Sequence, residues 1–475
     1  MAICYLLSVV LLFSFHNELE KWCVLGARMG LSEHQYHHVL DMKSLVPATT
    51  CVTPSTGPAQ QYGLPLVHRR GPCSPLHQDQ PHNPSMIFLR DKARYQLIAS
   101  SIASSWHGHN VNPPPREQGE DMTVPVPGME GDFLVTVGLG SPTRSLTLIL
   151  DTGCDLTWTQ CIPCPDAGCY KQEDPYYEPS KSSTYSDPQF YHSPSTYKIF
   201  YEDKSYSYGY YARDTLTLGP NYKFPNFVFG CGQNNSSNGF GSTAGILGLG
   251  KGTHTLVSQT AYKFNQIFCY CIPPTFSTNG YLLFGLGARK YCHPEMFTPL
   301  VSALPARPQY FVNLLSITIE DQTLSFTNLI KPNPSPSSSP SSSSSYKTII
   351  DSGTTITRLP QSVYAVLCSA FQNYMWGYPE APELPPLLDT CYDLEDYEDV
   401  KLPRIVLNFE QANVTLDPSG IIWRESNSQV CLAFSGNTDQ KDDLIIIGST
   451  QQSKLDILYD VKSKRVGFGR GSCGV

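Results

Sequence analysis

The chain has 475 residues with 33 Lys or Arg and 41 Asp or Glu, so only 16% are charged, against about 25% in an ordinary globular protein. Hydrophobic residues make up 40% and aromatics 11%, including 28 Tyr, which excludes a disordered chain and suits two packed lobes. The net charge of −8 excludes nucleic acid as the main partner. No later run of about 20 apolar residues offers a membrane span.

Taken in chain order, the first element is an apolar run from Ala2 to Phe15, of signal-peptide length. Residues 1–27 are therefore read as a secretory signal. No Lys or Arg precedes the run and the cleavage site is unclear, so a chloroplast-type leader is the competing reading. Sixteen Cys agree with an oxidising compartment and a disulfide framework. Asn234, Asn235 and Asn413 each open an Asn-x-Ser/Thr glycosylation signal.

Residues 28–122 carry most of the His, many Pro and one amphipathic helical stretch, Met86 to Ile102, with Arg90, Lys92 and Arg94. The segment then runs into Asn112-Pro-Pro-Pro115. A removable pro-segment with a linker is expected, with a loose N-terminal extension as the alternative.

From Asp132 onward the texture is all-β. Phe133 to Val137 alternates, Ser145 to Leu150 is a β-rich run ending in Asp-Thr-Gly, and Tyr197 to Leu218 reads as a long hairpin followed by a strand at Phe224 to Phe229. Lys331 to Ser345 is a Pro-Ser tract read as a solvent loop. Gln361 to Met375 is the clearest helix, with Val363, Val366, Leu367, Ala370, Phe371 and Tyr374 on one stripe.

An internal repeat organises these elements. Thr147-Leu-Ile-Leu-Asp151-Thr-Gly-Cys is echoed by Lys347-Thr-Ile-Ile-Asp351-Ser-Gly-Thr, and Gly245-Ile-Leu-Gly248 by Ile445-Ile-Ile-Gly448. Two similar β-rich lobes follow, 123–305 and 306–475. A lone Asp-Thr-Gly is a commonplace strand-end turn; two copies with matching downstream strands point to a paired site. Two buried carboxylates within hydrogen-bond reach cannot both ionise and share a proton at acid pH. The ionised one can deprotonate a water while the other donates to a scissile carbonyl. Gly153 and Gly353 allow a tight turn beside each carboxylate, and the hydroxyls of Thr152 and Ser352 can tie the turns together.

At these residues the chain resembles the pepsin-like aspartic proteases, in particular the plant nepenthesin-like group. The resemblance spans about Asp132 to Ser472. It rests on Gly131-Asp-Phe-Leu-Val-Thr-Val-Gly-Leu-Gly-Ser-Pro, Asp151-Thr-Gly-Cys-Asp-Leu-Thr-Trp-Thr-Gln-Cys, Phe229-Gly-Cys-Gly, Ile349-Ile-Asp-Ser-Gly-Thr-Thr-Ile-Thr-Arg-Leu-Pro and Val430-Cys-Leu-Ala-Phe. Leu66-Val-His-Arg-Arg-Gly-Pro-Cys-Ser-Pro is similar to the family's pro-segment. The resemblance implies a bilobal pepsin-like fold with a cleft between the lobes. It implies Asp151 and Asp351 as the catalytic pair, supported by Thr152, Gly153, Cys154, Ser352, Gly353 and Thr354. Trp158 would brace the flap and Tyr201 would close it over substrate.

It also implies disulfides Cys161–Cys164, Cys169–Cys231, Cys271–Cys473 and Cys391–Cys431, leaving Cys154, Cys269, Cys292 and Cys368 as buried thiols. Cys161-x-x-Cys164-x4-Cys169 lacks the second ligand pair a structural zinc needs, so no metal and no cofactor is expected. The chain departs from the family at Cys154, where Ser is usual, and at Glu202, where the flap glycine is usual. The cysteine-rich insert is also cut short, and the Ser tract before Asp351 is extra.

The expectation is a monomeric acid endopeptidase made as a zymogen, acting on proteins or peptides, in the apoplast, vacuole or plastid. The alternative is a weakly active or inactive binding or inhibitor protein on the same fold.

Overall fold

In the computed structural model, residues 37–46, 48–52, 63–76, 83–104, 122–125, 133–165, 168–187, 189–190, 193–201, 205–236, 239–301, 307–326, 346–437 and 444–474 are described. The signal run, the Asn112–Pro115 linker, the Pro-Ser tract and Glu202 lie outside them.

Strands dominate because the β-branched and aromatic runs are short and separated by Gly, Pro and Asn. Phe133–Leu139 pairs antiparallel with Arg144–Asp151. The alternation expected in the first of these is absent, since its residues are buried on both faces except Thr136. One face meets the lobe core and the other meets a second layer, so both sides of the pleat are apolar. The expected hairpin is present: Thr196–Phe200 pairs antiparallel with Tyr206–Leu218, which continues into Tyr222–Asn235.

The repeat seen in the sequence becomes a repeated topology. Leu148–Asp151 runs parallel to Gly245–Gly248, and Lys347–Ile350 runs parallel to Leu444–Ile447. A crossing strand then pairs antiparallel with the downstream partner in each lobe, Trp158 opposite Ile246 and Arg358 opposite Ile446. Each Asp-Thr/Ser-Gly is thus delivered at the end of a buried central strand.

The two halves are sewn together by a shared sheet. Ile267–Cys271 and Gly280–Phe284 from the first half pair with each other, and Ile267–Cys271 also pairs with Leu455–Asp460 from the chain's end. A continuous apolar cluster runs from Leu148 and Phe229 through Phe268 and Tyr459 to Leu359 and Phe434.

The N-terminal segment is part of this architecture. Strand β1 (His37–Asp41) extends the edge at Asp399–Pro403. Strand β2 (Gly63–His68) lies between Gly280–Phe284 and Phe133–Leu139. Helix α1 (Pro84–Ser104) covers the expected Met86–Ile102 stretch. Helix α2 (Gln361–Tyr374) ends within one residue of its expected limit and buries Val363, Leu367, Ala370 and Phe371.

The disulfide pairing requires correction. Cys161 bonds Cys231 and Cys164 bonds Cys169, rather than Cys161 with Cys164 and Cys169 with Cys231. The strand Trp158–Gln160 runs parallel to Gly230–Gly232. That register brings the Cα of Cys161 to 5.3 Å from that of Cys231, leaving the two cysteines of the intervening loop to each other. Cys271–Cys473 and Cys391–Cys431 are present as expected. Cys269 and Cys292 are not thiols: the helix Gly285–Tyr291 folds back and joins them. Cys368 is disulfide-bonded too, and Cys51 bonds Cys73. Cys154 is the free cysteine among the described residues, and it is buried.

Of the three glycosylation signals, Asn234 and Asn413 are exposed. Asn235 is not a possible acceptor in the folded chain, because it is 3% exposed and its Nδ2 donates to the Gly232 carbonyl. No helix among the described residues is long and apolar enough to cross a membrane.

Candidate active site

Asp151 and Asp351 come together at the junction of the lobes, each fully buried. Their turns grip each other reciprocally. The backbone N–H of Thr152 donates to the Ser352 hydroxyl at 3.2 Å, and the N–H of Ser352 donates to the Thr152 hydroxyl at 3.0 Å. The floor is equally fixed, with Gln452 Nε2 donating to the Asp351 carbonyl and Gln452 Oε1 accepting from the Tyr270 hydroxyl.

Between the carboxylates sits Arg94 of α1, itself 1% exposed. Its Nε donates to Asp351 Oδ2 at 2.7 Å, and its Nη2 donates to Asp351 Oδ1 at 2.8 Å and to Asp151 Oδ1 at 3.0 Å. One guanidinium therefore bridges both acids, a fork geometry that lysine cannot supply. The glycines serve close approach rather than an unusual backbone angle. A Cβ on Gly353 would lie 2.6 Å from Arg94 Nη2, and one on Gly153 2.8 Å from the same atom.

The two acids are furnished unequally. Asp351 also accepts from the Gly353 N–H at 3.2 Å and the Thr354 hydroxyl at 2.6 Å. Asp151 accepts from the Gly153 N–H at 2.7 Å, while its Oδ2 is buried with no hydrogen-bond partner among the described residues. Cys154 does not fill that gap, because its thiol donates to the Leu156 carbonyl instead. Burial pushes Asp151 above its ordinary value, and Asp351 nearby adds to this against the pull of Arg94. Burial acts on Asp351 in the same direction, yet the charge of Arg94 and the hydrogen bonds from Arg94, Thr354 and Gly353 bring it below the usual carboxylate range. Burial also pushes the Cys154 thiol up, so it stays protonated.

Trp158 and Tyr201 meet beside this centre. The indole Nε1 donates to the Tyr201 hydroxyl at 2.9 Å, and the phenol ring stands edge-on to Phe240. Asp91, three residues before Arg94, was not singled out from the sequence. It is 3% exposed, and it accepts from the N–H groups of Thr355, at 2.9 Å, and Ile356, at 2.6 Å. The signal that could have found it is an acid placed i, i+3 from an arginine on one face of a helix. Cys269, Cys292 and Asp456 lie within reach of one another, but the two sulfurs are bonded together and provide no thiolate ligand.

Against known proteins, the family described as "Xylanase inhibitor N-terminal" matches residues 133–195 and 186–286, and that described as "Xylanase inhibitor C-terminal" matches 309–470. Aspartyl protease AED1 of Arabidopsis thaliana is 37% identical over 456 residues, covering 92% of each chain. Aspartic proteinase nepenthesin-2 of Nepenthes gracilis is 30% identical over 401 residues, covering 81% of this chain and 88% of that protein. Among solved structures, basic 7S globulin from soybean superposes with a TM-score of 0.55 at 18% identity, over 73% of this chain and 96% of its own. That likeness extends to the fold.

Proposed function

The chain belongs to the plant aspartic proteases, hydrolases of peptide bonds, and from that premise we propose that it is an acid endopeptidase held as a zymogen, with Asp151 and Asp351 as its catalytic pair. The observation that carries the reading is the Arg94 fork: among the described residues, the one cation in contact with both carboxylates comes from the N-terminal segment. With Arg94 seated, its guanidinium occupies the space between the two acids where the attacking water would sit.

Once α1 has left, Asp351 keeps the donors from Thr354 and Gly353, so the charge settles there and the shared proton stays on Asp151. A water between the acids loses a proton to Asp351 as its oxygen bonds the scissile carbonyl carbon. Asp151 donates to the carbonyl oxygen. The tetrahedral intermediate collapses when the proton held by Asp351 passes to the amine nitrogen and the C–N bond breaks. On this reading Tyr201 and Trp158, hydrogen-bonded to each other, are the pair that closes a flap over the bound peptide.

The pH dependence follows from the signs. Asp351 is held low, so its grip on Arg94 is present above the ordinary carboxylate value and lost as pH falls through the lowered one. Asp151 is raised and takes its proton earlier on the way down, releasing its share of Arg94 first. Release of α1 should therefore be slow near pH ~6 and fast near pH ~3, measured as the lag before peptide cleavage begins. Disulfides bonding Cys51, Cys161, Cys269 and their partners support maturation in the secretory pathway.

A second reading is a binding or inhibitor protein on this fold, favoured by the family descriptions and by the partnerless Asp151 Oδ2. Incubation with a general protein substrate near pH ~3–4, with and without a peptidomimetic aspartic-protease inhibitor, decides between them. Inhibitor-sensitive cleavage is expected; none at any acid pH would leave the binding protein.

A further inference from the structure

We propose that a basic face with two apolar tips, Tyr262 and Leu286, attaches the protein to bilayers containing anionic phospholipid. The inference stands apart from the peptidase reading, because it uses no residue of the active-site turns.

Three large apolar side chains are the most exposed among the described residues: Leu286 at 81%, Trp376 at 77% and Tyr262 at 74%. Two of the three share one face. Phe264, which ends the short helix Ala261–Phe264, stacks on Phe284 with ring centroids 5.2 Å apart and packs on Tyr222 and Phe224 at the same distance. Tyr262 meets Phe224 edge-on at 6.1 Å. Beyond Phe284 the chain turns at Gly285, whose φ of 57° favours glycine, and enters the helix Gly285–Tyr291 with Leu286. A Cβ on Gly285 would lie 2.9 Å from the Phe264 ring, so Leu286 starts from the same aromatic floor as Tyr262. Exposed hydrophobics scattered singly are ordinary, whereas a pair raised on one floor marks an interaction surface.

The surroundings are cationic. Lys223, Lys263, Arg289, Lys462 and Lys464 are all exposed, and Lys263 lies over the Tyr222 ring at 5.8 Å. Backbone bonds tie the last two lysines to this face: the Val461 N–H donates to the Gln266 carbonyl at 3.1 Å, and the Lys464 N–H to that of Val461. Asp460 is the one acid within 222–226, 260–267, 285–291 and 460–465. It is 2% exposed, and its Oδ2 accepts from Arg289 at 3.3 Å and from Arg465 at 3.2 Å. One buried carboxylate shared by two arginines leaves the surface positive, on a chain whose net charge is −8.

An anionic bilayer complements this face on two counts. Lysine heads reach headgroup phosphates and carboxylates while their stems lie along apolar surface. Leu286 and the Tyr262 ring leave water for the boundary between headgroups and acyl chains, where a tyrosine hydroxyl stays hydrated. An acidic polysaccharide would engage the lysines and the Tyr262 ring but offers nothing to a protruding leucine, so the observations favour lipid. No helix among the described residues is long and apolar enough to span a bilayer. Attachment by this face is peripheral, and charge and apolar burial, each weak alone, act together.

The test is co-sedimentation of the full-length protein with sucrose-loaded vesicles, either phosphatidylcholine alone or phosphatidylcholine doped with phosphatidylserine. Binding to the doped vesicles alone is expected, strongly weakened near ~1 M salt, where the screening length falls to about 3 Å. Lys462→Gln combined with Lys464→Gln should weaken binding roughly 25-fold, at about fivefold per charge. Leu286→Ser should weaken it roughly tenfold, and both variants should unfold at near-native temperature. No sedimentation with the doped vesicles, or equal sedimentation of parent and both variants, overturns the proposal. Sensitivity to the lysine pair without sensitivity at Leu286 overturns insertion, and the assignment to lipid falls with it. Capture by immobilised polygalacturonate without any vesicle binding likewise overturns it, making the face a polysaccharide site.

Discussion

The turns around Asp151 and Asp351 descend from one pattern yet are not equivalent. Both place a glycine N–H on the carboxylate, and both donate to the other turn through Thr152 and Ser352. They part at the fourth residue, where Thr354 gives its hydroxyl to Asp351 and Cys154 gives its thiol to Leu156. The Thr354 hydroxyl thus adds to the two bonds from Arg94 on that side and makes Asp351 the better-supported anion. Repeated topology supplies two carboxylates at one point, and local asymmetry gives them different hydrogen-bond environments.

The largest expected effect treats the two turns alike. Asp151→Asn and Asp351→Asn should each lower kcat by roughly 10²–10⁴-fold or more, with near-native thermal unfolding. A loss of only a few-fold on one side would mean that acid is dispensable and end the comparison.

Arg94→Ala tests what the two turns share. Removing one partner of a buried charge cluster costs about 3–5 kcal/mol, so the unprocessed precursor should bind an active-site-directed inhibitor at mildly acid pH. A variant as silent as its parent would show that Arg94 is not the plug.

Thr354→Val sharpens the difference between the turns. A hydrogen bond to a charged group contributes about 1.5–3 kcal/mol, which is roughly 10–100-fold in kcat/KM, and the acid limb of the pH profile should move to higher pH. An unmoved limb would mean Thr354 plays only a packing role. The smallest change is Cys154→Ser. A hydroxyl there can donate to the partnerless Asp151 Oδ2, and a neutral donor is worth about 0.5–1.5 kcal/mol, or roughly a two- to tenfold gain in kcat/KM. A variant no faster than its parent would show that the pocket has adapted to sulfur.

Much of this site was legible in the sequence because the repeat is written in consecutive residues. The phrases around Asp151 and Asp351 announce both the strands and the carboxylates, and helical spacing announced α1 and α2. Features that depend on distant parts of the chain were not legible. A basic face from Arg90 to Arg94 could be read, but not that Arg94 alone reaches the acids, since that depends on where the helix docks. The pairing of Cys161 with Cys231 follows from a parallel register between strands about 70 residues apart, and four cysteines allow three connectivities. The place of β2 was hidden for the same reason: its neighbours lie some 70 and 220 residues downstream, and a short apolar run does not name its partners.

The sheet shared by the two halves has a consequence during synthesis. Ile267–Cys271 finds one of its neighbours only in Leu455–Asp460, and Cys271 its disulfide partner only in Cys473. At about 5–20 residues per second, the ribosome leaves that strand edge waiting roughly 10–40 s, and Cys473 follows Cys271 by 202 residues. The first lobe is therefore a nascent intermediate with one open side, a natural client for chaperones. A ribosome stalled anywhere in the second half would present that open edge rather than a finished domain.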